Sequence, residues 1–201
     1  NSINGFILQN DVGTASTFLI KFSKLIRLIL EHSNEKSITL QSELDALRLY
    51  IDMEALRFGK KFSSEIVVDT DVMADAIRVP PLILQPFVEN AIWHGLLHKE
   101  SNGRLTISVR QKEDLLECII EDNGVGRQAS AEAKPKNYSG RKSLGLKLTT
   151  ERLALLNREG NSDSCVRVDD LKDETGAALG TRVTIRISPG NLFAESEDPQ
   201  Q

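Results

Sequence analysis

Apolar residues recur along this chain at two spacings, one helical and one alternating, and the change between them falls near residue 59. Across residues 14–33, Phe18, Phe22, Leu25 and Ile29 repeat at helical intervals with Leu19, Ile26 and Leu30 beside them. A stripe with a period near 3.6 predicts an amphipathic helix. A second stripe, Leu40, Leu44, Leu47, Ile51, Ala55 and Phe58, advances by steps of four and three, with Thr39 placed to cap it. Two such helices cannot bury their stripes without each other or a partner. The heptad-like seam favours a dimeric bundle over a helical subdomain packed on its own chain.

After Phe58 the pattern shortens. GKK is a break, EIVVD reads as a strand, and AIRVP is an extended run stopped by Pro80 and Pro81. A helix over residues 86–98 follows, then strands RLTISVR and LLECIIE around the charged turn QKED. Next come a polar stretch over 127–142, a helix over 144–158, and strands CVRV and TRVTIRI. Strands and helices mixed without strict βαβ alternation predict an α+β sandwich, with helices on one face of a largely antiparallel sheet. The expected organisation is a helical segment over 1–58, a sandwich domain over 59–190 and an acidic, disordered tail over 191–201.

Composition narrows the function classes. With 201 residues, 40% hydrophobic and 27% charged, the chain can bury a sizeable core, and a net charge of −4 leaves no electrostatic footprint for nucleic acid. Cys118 and Cys165 lack zinc-ligand or disulfide-framework spacing and read as reduced thiols. The weakly charged stretch over 79–98 has spanning length but holds three prolines, Glu89, Asn90 and histidine, so it reads as a core helix. The chain starts at Asn1 without Met and carries no signal peptide, so any membrane segment is expected upstream.

Two constellations carry chemistry. Strand LLECIIE runs directly into Asp122-Asn123-Gly124-Val125-Gly126, an acidic strand end followed by two glycines. A dinucleotide fingerprint would need an apolar-striped helix immediately after those glycines. The following RQASAEAKPKNYSGRKS is instead polar, contains Pro135 and Gly140, and reads as a mobile loop; no P-loop motif occurs. In QPFVENAIWHG, Glu89, Asn90 and His94 interrupt an apolar helix, and Asn90 and His94 lie four apart on one face. Either residue alone would suit a satisfied core position, and two glycines alone would suit a simple hairpin turn.

Together, LQPFVENAIWHG, DNGVG, SLGLKLTTERL and GTRVTIRI resemble, in order, the N box, the G1 and G2 boxes and the final Gly-Thr strand of the GHKL (Bergerat) ATP-binding fold. Within it, VPPLILQPFVENAIWHG and the helix LDALRLYIDMEALRFGKKF are similar to the LytS/YehU-type sensor histidine kinases. The resemblance implies a two-layer sandwich that binds ATP with Mg²⁺. Asp122 would accept a hydrogen bond from the adenine amine, and Gly124 and Gly126 would let the backbone approach the nucleotide and hinge a lid. Asn90 would give one oxygen to Mg²⁺. Glu89 would position the metal shell and His94 would face the phosphates, which makes these two the candidate catalytic side chains. Ser143, Leu144, Gly145, Leu146 and Lys147 would hold phosphate oxygens where Gly145 opens a helix, aided by Lys134, Lys136, Arg141 and Lys142 of the lid. Thr181 would sit beside the adenine.

Two departures stand out. Related folds that hydrolyse ATP to water place a glutamate four residues before the metal Asn, where this chain has Pro86, so efficient hydrolysis is not expected. Ser143-Leu144-Gly145-Leu146 stands where many relatives have Gly-x-Gly-Leu. The resemblance further implies transfer of the γ-phosphoryl to a histidine and then to a response-regulator aspartate, in a homodimer joined by the N-terminal helices. The setting would be the cytoplasmic part of a membrane-anchored bacterial sensor. Asn1-Ser2-Ile3-Asn4 is similar to the tail of the family's acceptor motif, which places the acceptor about two helical turns upstream. His32 lacks the flanking residues of an acceptor and reads as an exposed residue near a helix end, and His98 belongs to the ATP-binding half. The competing readings are another GHKL ATPase, such as a chaperone or repair clamp, and a non-catalytic interaction domain.

Overall fold

The structure is a computed structural model and describes residues 2–59, 61–99, 102–113, 115–127, 129, 142–156 and 165–188. A short helix α1 (Ser2–Leu8) precedes Asp11, whose carboxylate accepts the Thr14 amide at 3.0 Å and so caps α2 (Val12–Ser33). Helix α2 buries Ala15, Phe18, Leu25 and His32 but leaves Leu19, Ile20, Phe22, Ile26 and Leu30 exposed. His32 is thus buried, where the sequence reading had it exposed, because it points the same way as Phe18 and Leu25, fourteen and seven residues earlier. Thr39 caps α3 (Leu40–Arg57) as its sequence position predicts, with Oγ1 accepting the Ser42 amide at 3.1 Å.

The α3 stripe meets its own chain, not the seam of a bundle. Leu40, Leu44, Leu47 and Ile51 are at most 2% exposed and belong to the same continuous core as the sheet. Strand β1 (Ile38–Thr39) leads into α3 and pairs antiparallel with β3 (Arg78–Val79), so the run AIRVP ends in a two-residue ladder outside the main sheet. What α3 leaves unpartnered is the far side of α2, which is tied to α3 by an ion pair between Lys21 and Asp52.

The main sheet has the strand order β2-β4-β5-β7-β6. Its members are β2 (Phe62–Val68), β4 (Gly103–Lys112), β5 (Leu115–Asp122), β6 (Val166–Lys172) and β7 (Ala178–Ile187). Strands β2 and β4 run parallel, and every other pair is antiparallel. The period of two sorts the faces: Leu105, Ile107 and Val109 of β4, Leu116, Cys118 and Ile120 of β5, and Ile185 and Ile187 of β7 all point into the core. On the opposite face, Glu117 accepts hydrogen bonds from Nε of Arg110 at 2.8 Å and of Arg186 at 3.1 Å. Their guanidinium groups hold the Glu117 carboxyl below the usual range, against the opposing effect of its burial.

Helix α4 (Gln85–Asn90) begins with Pro86 in its first turn and gives way to a π turn (Ala91–Gly95) and a 3₁₀ turn (Leu96–His98). Only the first half of the predicted helix is therefore α. Helix α5 (Lys142–Leu156) completes the helical layer and buries Leu153 in the core. The α+β sandwich expected from the sequence is the observed architecture.

Candidate functional site

A cavity of about 600 Å³ opens between α4 and its π turn, α5, and the inner face of β5, β6 and β7. Its walls are apolar, with Phe87, Ala91, Ile120, Leu146, Val166 and Val183, and a few polar groups enter it: Asn90, His94, Asp122, Arg127, Thr150, Glu151 and Thr181. An apolar volume of this size with a small number of convergent polar groups is the usual form of a small-molecule site.

Asp122 forms the deep polar end. It is the last residue of β5, pairs across the sheet with Thr181, and is only 4% exposed. Oδ1 accepts the Gly124 amide at 2.8 Å. Burial pushes its pKa up to about 6, while the amides of Gly124 and Thr181 and the charge of Lys99 act in the opposite direction. The turn after it is held by Asn123, whose Oδ1 accepts the Arg104 amide at 2.7 Å and whose Nδ2 donates to the Asn102 carbonyl at 3.1 Å.

Absence of a side chain shapes this end as much as its presence. A Cβ on Gly95 would stand 2.5 Å from Asp122 Oδ1, and one on Gly124 would stand 2.3 Å from the carbonyl carbon of Gly95. The π turn and the glycine turn therefore touch backbone to backbone, and Val125 donates its amide to Gly95 O at 3.3 Å. Gly126 takes φ +81°, which an L side chain rarely adopts.

The remaining sequence candidates divide. Asn90 is half-buried on the cavity wall; its Nδ2 donates to Pro86 O at 2.8 Å, which leaves Oδ1 as the atom free to accept or ligate. His94 lines the same wall through the widened π turn. Glu89 is not among the residues that line the cavity. Leu146 and Thr181 line the cavity. Gly145 does not open α5, which starts at Lys142 and places Gly145 within its first turn. The side chains of Lys142, Ser143, Leu144 and Lys147, the residues Lys134, Lys136 and Arg141, and the tail over 191–201 lie outside the described residues.

Sequence reasoning missed Gly95 and Arg127. Gly95 closes the apolar N-box run and carried its own signal as a glycine within a predicted helix. Arg127 had none, since its bidentate pairing with Asp170, at 2.6 and 2.7 Å, joins positions 43 apart. Among the described residues no cluster of three or more His, Cys, Asp or Glu could hold a metal ion. A metal here would have to be held mainly by its ligand, with Asn90 Oδ1 as the protein contact.

Residues 1–62 match the family model described as Histidine kinase. Sensor protein LytS of Oceanobacillus iheyensis is 36% identical over 120 residues, 60% of this chain and 20% of that protein. Sensor histidine kinase YpdA of Escherichia coli is 30% identical over 161 residues, 80% of this chain and 28% of that protein. Together these matches support a fragment of a LytS-type sensor histidine kinase. This chain spans 20% and 28% of the length of these two relatives. The catalytic domain of histidine kinase ThkA, in a nucleotide-free form, superposes with a TM-score of 0.50 at 15% identity, covering 76% of this chain and 95% of that domain. At that identity the likeness shows the fold, which is the α+β fold of histidine kinase catalytic domains. Among the described residues, no helix is long and apolar enough to cross a membrane.

Proposed function

We propose that the cavity is an adenine-nucleotide site and that the chain serves as the ATP-binding region of a two-component sensor kinase. The observation that carries this reading is Asp122: a carboxyl at the closed end of an apolar cavity, held by backbone amides and left with acceptor capacity toward the cavity. A carboxylate there accepts the exocyclic amine of adenine and finds no such donor at the 6-keto position of guanine. Asn90 is the metal contact in this reading, since its amide nitrogen is already anchored to Pro86 O. Mg²⁺, when bound, neutralises charge on the phosphate oxygens and is held by them and by water apart from this one protein oxygen. His94 supports the phosphate end and Thr181 the adenine end, with the first turn of α5, residues Ser143 to Lys147, offering amides to phosphate oxygens. Pro86 supplies no general base for hydrolysis by water.

In the same reading the γ-phosphoryl group goes to a histidine outside this cavity and then to an aspartate of a receiver domain, and the helical segment 1–58 joins two copies through the exposed face of α2, with α3 packed on the sandwich, while 59–190 hold nucleotide. Titration calorimetry of the chain with ATP, ADP and GTP in the presence of Mg²⁺ tests the proposal. ATP and ADP should bind and GTP should not compete. Removing a charge-assisted hydrogen bond in a closed site costs about 1.5–3 kcal/mol, so Asp122→Ala should weaken ATP binding about tenfold or more. Equal binding of ATP and GTP would sink the adenine assignment.

A further inference from the structure

Resting on the nucleotide-site reading, we infer that Glu43 is a positioning residue for that site, acting from α3 through the backbone that leads into α4. Glu43 is a carboxylate 2% exposed, and its two oxygens accept the amides of Leu82 at 2.8 Å and Leu84 at 3.0 Å. Both amides lie just before α4, which begins at Gln85. Leu84 is the N-cap residue and no side chain caps the helix, so what α3 supplies, from 41 residues away, is a hold on the residues that lead into α4. The segment needs an external hold, because Leu82 sits at φ 58°, a left-handed conformation that a branched side chain avoids and that persists only where surrounding contacts over-determine it.

The segment from Pro80 to Leu84 is also gripped from a further element. Arg152 of α5 donates from Nη1 to Pro81 O at 3.1 Å, and its charge also acts on Glu43. Arg152 directly follows Thr150 and Glu151, which line the cavity, while α4 carries Phe87 and Asn90 on the opposite wall. The Pro80 to Leu84 segment is thus a clasp: α3 holds it through Glu43, α5 holds it through Arg152, and the helix it opens carries Asn90. A shift of α3 moves both walls relative to each other. At the other end of the same contact, Arg57 of α3 lies 4.7 Å from the Trp93 ring centroid and Phe58 packs edge-on against that ring at 5.4 Å, so the one tryptophan of the chain reports on this junction.

The test is a cycle of Glu43→Gln, Arg152→Gln and the double variant, each measured for ATP affinity with Mg²⁺, melting temperature and Trp93 emission. Ile51→Val, a cavity variant on the same helix, is the control for lost stability. Glutamine keeps one acceptor but turns an N–H toward the second amide. Each single variant should therefore weaken ATP about tenfold, and the double should lose no more than the worse single, because both act through one segment. The ATP-induced change in Trp93 emission should shrink in the same variants and persist in Ile51→Val. Affinity losses that simply add, or that match Ile51→Val at equal loss of melting temperature, overturn the inference. Should Glu43→Gln not fold, unchanged affinity in Arg152→Gln overturns it alone. If the wild-type chain binds no nucleotide, the site reading has failed and the role of the clasp with it; wild-type binding with unaltered variants removes the clasp only.

Discussion

At neutral pH the Asp122 carboxyl carries a charge that its surroundings oppose, and that tension sets two measurable behaviours. Burial raises its pKa to about 6, so the fold favours the protonated form. Its contribution to stability is present below the usual carboxylate range near pH 4 and is lost as pH rises through about 6. Asp122→Asn removes this penalty, and the unliganded chain should melt higher at pH 7.5, by an amount equivalent to about 2–3 kcal/mol. Nucleotide binding asks the opposite of the same group, because only the ionised form gives the strong acceptor that the adenine amine needs. ATP affinity should thus rise from pH 5 to 7.5 and then level off. At pH 6, calorimetry in two buffers of different ionisation enthalpy should show proton release on binding. A pH-independent affinity would remove Asp122 as the acceptor. Asp122 and Asn90 were legible in the sequence because each is polar at a position where the apolar pattern calls for a hydrophobe. Gly95 was not assigned, because its requirement comes from a turn 29 positions later that presses Gly124 against it. Gly95→Ala should accordingly lower both melting temperature and ATP affinity, since a methyl 2.5 Å from Oδ1 forces the carboxylate to move.

Elements were legible where one period governs them alone. Strand β4 alternates Leu105, Ile107 and Val109 with Thr106 and Ser108, and its faces followed directly. The predicted helix over 86–98 was half right, since an apolar run with helical spacing does not reveal that the turn at Ala91–Gly95 widens to let the chain approach the glycine turn. That widening keeps Asn90 and His94 on one wall although the helix is no longer regular. Asn90→Ala should leave the fold intact, because the amide gives up only its bond to Pro86 O, and should remove most of the Mg²⁺ dependence of ATP binding. Thermal melts with and without Mg·ATP separate the outcomes, since a ligand that binds only the folded state raises the midpoint. A chain that unfolds on this substitution would mean that the amide is structural. The α3 stripe shows the converse limit: its spacing suited either a bundle seam or a core, and only the buried neighbours Val79, Ile83 and Leu84 decide for the core.

For the whole molecule, the unpartnered face of α2 and the placement of the histidines bear on how the chain would work in a sensor. Ile20 and Leu30 are 68% and 62% exposed on a helix that already packs on α3, so glutamate at Ile26, between them on the exposed side, should lower self-association in sedimentation without lowering the melting temperature of the sandwich. Phosphoryl transfer then needs a nucleophile that can reach the γ-phosphorus in line. The chain has three histidines. His32 is buried in α2, His94 belongs to the cavity wall, and His98 closes the 3₁₀ turn of the segment that forms that wall. His98 is exposed but belongs to the ATP-binding half itself, so no histidine stands as an exposed side chain on the N-terminal helices. Incubated with γ-labelled ATP and Mg²⁺, this chain should bind nucleotide yet take up little acid-labile label, while a longer chain that includes the family's acceptor motif should take it up. Placing Asn90→Ala in one copy and removing the acceptor from the other would show whether transfer runs between subunits. Robust labelling of the present chain, abolished by His32→Gln, would require α2 to open and expose that ring, and would make the buried histidine the acceptor after all.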